Sequence, residues 1–130
     1  MPTFKLNKLI RDNLKDIYID TNQKAKYRKL KSKEHKQELI RKIIEEASEI
    51  NADSSAIEIT DEIADIRQVL DDLMSLCGIT EEQVQMVQRN IFDKKGGFAQ
   101  GTFVETLKLK DDDKWAEYYR KKPDVFPEEQ

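Results

Sequence analysis

Lys42–Asp65 reads KIIEEASEINADSSAIEITDEIAD. Apolar residues recur every three or four positions on both sides of a polar interruption, Asn51-Ala-Asp-Ser-Ser55, so the stretch predicts two amphipathic helices joined by a turn. Upstream, Leu39, Ile40, Ile43, Ile44, Ala47 and Ile50 extend the first helix over about Lys33 to Ala52. Downstream, Ser55 followed by Glu58 has the spacing of a capping box, which starts the second helix. Gly78 is placed to end that helix after Cys77. Both helices carry acids: Glu45, Glu46 and Glu49 on the first, Glu62 and Asp65 on the second.

Carboxylates at i and i+3 leave a helix from one side. On a wheel of about 100° per residue, with Glu62 at zero, Ile59, Ile63, Ile66, Val69, Leu70 and Leu73 fall between roughly −20° and +100°. Glu62 therefore lies inside the apolar sector; Asp65 stands near its edge, with Asp72 on the same side. On the preceding helix Glu46 borders the sector of Leu39, Ile43, Ala47 and Ile50, Glu49 lies further out and Glu45 further still. A carboxylate facing a core must be protonated, paired or metal-bound. Two such pairs on neighbouring helices point to a cation site, and oxygen-only ligation suits Mg²⁺, or Mn²⁺. Glu46 and Glu49 are expected as inner ligands, with Glu45 binding or orienting water.

Two other readings compete. Interhelical salt bridges would draw on Lys42, Arg41 and Arg67, too few bases for the set, although Lys42 can pair with Glu45 or Glu46. A di-iron bundle needs Glu-x-x-His pairs on two helices, and the single histidine, His35, belongs to none.

The remaining chain reads as helix with few loops. Leu9, Ile10, Leu14, Ile17 and Tyr18 predict a first helix over Asn7–Asp20. Thr80 with Gln83 is a second capping-box signal, opening a helix that carries Val84, Val87 and Ile91 and is broken by Gly96-Gly97. Ala25–Lys31 and Thr102–Leu109 alternate with period two and could pair as a small two-stranded ribbon. Beyond Asp111 the chain is charged, with Trp115, Tyr118 and Tyr119 on a short helix.

With 130 residues, four Gly and three Pro, the default is one all-α domain. No apolar run could span a bilayer, and the charged start lacks a signal-peptide core, so a cytoplasmic protein without membrane contact is expected. The lone Cys77 cannot form an internal disulfide and is expected in the core. Lys24–Lys42 holds nine Lys or Arg against two acids, whereas Ile43–Glu82 holds twelve acids and one base, Arg67. That asymmetry would suit a nucleic-acid patch, a solvated flank or counter-charge for a polyphosphate; because the basic stretch leads straight into the acidic helix, nucleic acid ranks last.

Glu-Glu-x-x-Glu followed by Glu-x-x-Asp on consecutive helices resembles the all-α nucleotide pyrophosphatase superfamily. Asn7-Lys-Leu-Ile-Arg-Asp12 and Lys94-Lys-Gly-Gly-Phe98 resemble its MazG-like, phosphoribosyl-ATP pyrophosphatase-like branch, and the resemblance spans about residues 5 to 110. It implies a four-helix-bundle-like MazG-type fold in residues 1–110, followed by an extension over 111–130. It also implies metal ligation by Glu46, Glu49, Glu62 and Asp65. Substrate contacts map onto Asn90, Lys94 and Lys95, with Lys42 on the acidic side as a further candidate; Lys95 replaces the usual Arg, keeping charge but losing the bidentate fork.

The activity so implied is house-cleaning hydrolysis of a nucleoside triphosphate between the α and β phosphates, releasing pyrophosphate and a monophosphate. The catalytic pair would be Glu45 and Glu46, around a water oriented by Glu45 or by the ion. The alternative is a nucleotide-binding regulatory module without turnover. Relatives pair their subunits, so a homodimer or homotetramer is expected.

Overall fold

The structure is a computed structural model and describes all 130 residues. It is all-helical: α1 Leu14–Asp20, α2 Ser32–Ser48, α3 Ala56–Leu76, α4 Glu81–Lys95 and α5 Lys114–Arg120, with no strand. The expected all-α class is thus borne out. The chain divides into two units, Met1–Ile91 and Phe92–Gln130.

The first unit is organised by the α2–α3 hairpin, the two helices packing on each other. Short side chains build the turn between them. The Asn51 side-chain oxygen accepts from the Asp53 N–H at 2.9 Å, and Ser54 Oγ accepts from the Asn51 N–H at 3.0 Å. The capping box expected at Ser55 is present, with Glu58 N–H donating to Ser55 Oγ at 3.2 Å and Ser55 N–H donating to Glu58 Oε1 at 3.4 Å. At the far end Gly78, with φ of 68°, closes α3: its N–H reaches Ser75 O at 3.2 Å and the Ile79 N–H reaches Met74 O at 2.9 Å.

Leu39 of α2 and Val69 of α3 are the buried apolar residues of this unit, 4% and 9% exposed. They stand equally far from position 54, as do Glu46 and Glu62, the register of an antiparallel hairpin. Glu46, at 7%, is buried to a degree between Leu39 and Val69.

Several expectations change. The helix expected from Asn7 begins at Leu14: Asn7 is left-handed with φ of 47°, and Asn13 is the residue that caps the helix. α1 then ends at another left-handed residue, Asn22, with Gln23 N–H on Tyr18 O at 2.7 Å. α2 stops at Ser48 rather than Ala52, where the Asn51 turn takes over the backbone bonds. The two-stranded ribbon does not form: Ala25–Lys31 and Thr102–Leu109 belong to different units, and a lone two-stranded ribbon is marginal in water. Cys77, expected in the core, is exposed as the residue that caps α3.

α4 opens with the second expected capping box, Gln83 N–H on Thr80 Oγ1 at 3.2 Å and Thr80 N–H on Gln83 Oε1 at 2.8 Å. In the second unit Asp113 caps α5 by accepting from the Trp115 N–H at 2.8 Å. Ala116 is buried there, and Tyr119 lies 4.8 Å from Phe126 and 5.6 Å from Tyr118, ring to ring, in one aromatic cluster. No helix is long and apolar enough to cross a membrane.

Candidate metal centre

Across the hairpin the acids converge. Oxygens of Glu46, Glu62 and Asp65 lie within 4.8 Å of one another, and so do oxygens of Glu45, Glu46 and Glu49. Glu46 belongs to both triplets. It stands in the last turn of α2, with its carbonyl accepting from the Glu49 N–H at 3.2 Å, so its place is set by the helix rather than by a loop. Glu49 is the residue that caps α2. The helix dipole ends negatively there, which disfavours a carboxylate and adds to the call for a cation.

Glu62 makes the clearest statement. Its Oε2 is buried without a hydrogen-bond partner. The reason is chemical: its neighbours are carboxylates, which accept and do not donate unless one holds a proton. Hydrogen bonding to Glu46, then burial, then Glu49 push the Glu62 carboxyl up from 4.5 to about 7.

Three cations answer the five acids. Lys42 Nζ lies 3.3 Å from Glu45 Oε1 and 3.4 Å from Glu46 Oε1. Burial works against its charge, but these contacts outweigh it and raise the ammonium above its ordinary value. Lys8 Nζ approaches Glu45 Oε1 from the N-terminal segment, also at 3.3 Å. Burial raises the Glu45 carboxyl, yet Lys42 and then Lys8 override it and hold it below the usual range, so Glu45 stays ionised. Arg11 Nη2 donates to Asp65 Oδ1. With all five carboxylates ionised, the three cations would leave two negative charges uncompensated.

The residues therefore fit a hard divalent cation: the donors are all oxygen, and one is an orphaned buried atom. The four ligands expected from the sequence, Glu46, Glu49, Glu62 and Asp65, are brought into these two triplets. Of the other expected site residues, Lys42 sits against the acids, and Asn90 lies exposed on α4. Lys94 and Lys95 fall in the second unit, where they form the basic last turn of α4. Asp72 accepts from Gln68 Nε2 at 3.3 Å on the exposed side of α3. What the sequence did not reveal is that Lys8 and Arg11 are paired with the cluster. Their partners are 37 and 54 residues away.

No protein-family model, curated protein or solved structure matches this chain.

Proposed function

We propose that the chain is a Mg²⁺-dependent nucleoside triphosphate pyrophosphohydrolase that releases pyrophosphate and a nucleoside monophosphate. The observation that carries the reading is Glu62. A carboxylate oxygen, buried without a donor among Glu46, Glu49 and Asp65, is a group waiting for a cation, and an oxygen-ligated divalent cation in a cytoplasmic protein typically meets phosphate.

Glu46, Glu49, Glu62 and Asp65 would hold the ion. Bound there, Mg²⁺ supplies positive charge to neutralise the phosphate oxygens as the α–β bond breaks. The chain's own residues do the rest. Glu45 is kept ionised by Lys42 and Lys8, so it can orient a water and accept its proton. The water oxygen bonds to the α-phosphorus, the bridging oxygen departs with pyrophosphate, and the proton stays on Glu45. Lys42 grips Glu45 and Glu46 together, fixing the base relative to a ligand.

The same reading includes self-association as a homodimer or homotetramer. Two buried apolar side chains are a small core for Met1–Ile91, and α4 exposes Val84, Val87 and Ile91 along one stripe. A second copy of the same stripe is a suitable cover.

A Mg²⁺-supplemented nucleotide panel tests the activity, scoring pyrophosphate and monophosphate with Glu46→Gln and Asp65→Asn as controls. Pyrophosphate release lost in both variants supports the reaction and identifies the base and sugar. Metal-dependent nucleotide binding without product would instead make the protein a regulatory binding module.

A further inference from the structure

Lys8 and Arg11 have no role in holding a cation, and their positions call for one. Both lie in the segment before α1, outside regular structure, just after the left-handed turn at Asn7. Each reaches one carboxylate triplet: Lys8 the α2 triplet through Glu45, Arg11 the α3 triplet through Asp65. A short non-helical arm thus places two cations, three residues apart, on the two halves of one anionic cluster.

We infer that Lys8 and Arg11 are phosphate-contacting residues that stand in for the metal ion until it binds, and then turn onto the phosphate chain of the nucleotide. The inference rests on the metal-site reading above. Both heads are solvent-facing, 43% and 58% exposed as side chains, so their ion pairs are weak and exchangeable. Asp65 engaged by a divalent ion would no longer be free to hold Arg11. The freed guanidinium would offer a planar fork that matches two phosphate oxygens, and Lys8 a point charge. No bond is made or broken in this exchange; the partners of the two cations change from carboxylate to phosphate.

If the arm were only a structural pin, removing it would loosen the cluster and weaken every ligand. The inference instead requires metal and phosphate affinities to move in opposite directions. The experiment is calorimetry on the full chain with two probes, Mn²⁺ alone and the Mg²⁺ complex of inorganic tripolyphosphate, which needs no choice of base or sugar. The double variant Lys8→Ala/Arg11→Ala should bind Mn²⁺ at least threefold tighter and the tripolyphosphate complex at least tenfold weaker. Arg11→Lys, which keeps the charge and loses the fork, should fall between. Circular dichroism melts of the same samples establish that the variants fold. Wild-type binding of both probes with no change in the double variant, or a fall in both affinities together, overturns the inference and leaves the metal site standing. A wild type that binds neither probe overturns the metal-site reading, and the inference with it.

Discussion

A carboxylate surrounded by carboxylates is satisfied by a proton or by a cation, and without metal the neighbours of Glu62 push it toward the proton. Its carboxyl is held at about 7, chiefly by Glu46, against 4.5 ordinarily. The folded chain therefore binds this proton more tightly than the unfolded chain does. The stability it brings is full below the unfolded value and is lost as pH rises through the folded one. Without metal, the melting temperature should fall as pH is raised from about 5 to about 8, and Glu62→Gln should flatten that fall. Mn²⁺ should restore the loss at the alkaline end, since cation and proton compete for one site, and its affinity should climb with pH through the same range. Thermal melts of both proteins across pH, with and without Mn²⁺, measure all of this; an unchanged slope in Glu62→Gln would refute the assignment. The acids were legible in the sequence because a wheel places Glu62 among Ile59, Ile66 and Leu73, where a charge needs a reason. Lys8 and Arg11 were not, because pairing between an irregular arm and two helices leaves no periodic trace.

Helix ends tell the same story one level up. Ser55, Thr80 and Gly78 announce their roles locally, through a hydroxyl or a missing side chain at a fixed offset, and the structure places a capping box or a helix end at each. Ser55→Ala should destabilise the protein by about 1 kcal/mol, by leaving the Glu58 N–H without its acceptor. Gly78→Ala should cost a similar amount, about 1 kcal/mol, for a different reason. Nothing lies within 4 Å of its added carbon, so the penalty is the left-handed backbone alone. Gly97 has an ordinary φ and its added carbon would rest 3.5 Å from the Phe92 ring, so Gly97→Ala should leave stability almost unchanged. Urea unfolding of the three variants ranks them directly. Where the sequence misled, the determinant was not local. Thr102–Leu109 alternates as a strand should, but alternation only says that two faces differ; a ladder needs a partner. Asn7 gave no sign that it would take a left-handed turn before α1.

Many apolar side chains of Met1–Ile91 face outward. Ile40 and Ile44 on α2, Ile57 and Ile63 on α3, and Val84, Val87 and Ile91 on α4 are all exposed, against only Leu39 and Val69 buried. Scattered exposed aliphatics are ordinary, but three on one stripe of a helix that buries nothing are not. Covering a valine or isoleucine contributes about 1.5–3 kcal/mol, and marginal stability makes a few such residues decisive. The chain, of 15.3 kDa, should therefore run at twice or four times that mass by light scattering. Val87→Glu with Ile91→Glu should shift it toward monomer and lower its melting temperature, and the wild-type melt should rise with protein concentration, as mass action requires. A wild type of 15.3 kDa at every concentration, melting independently of it, would mean that this hairpin stands on its small core alone.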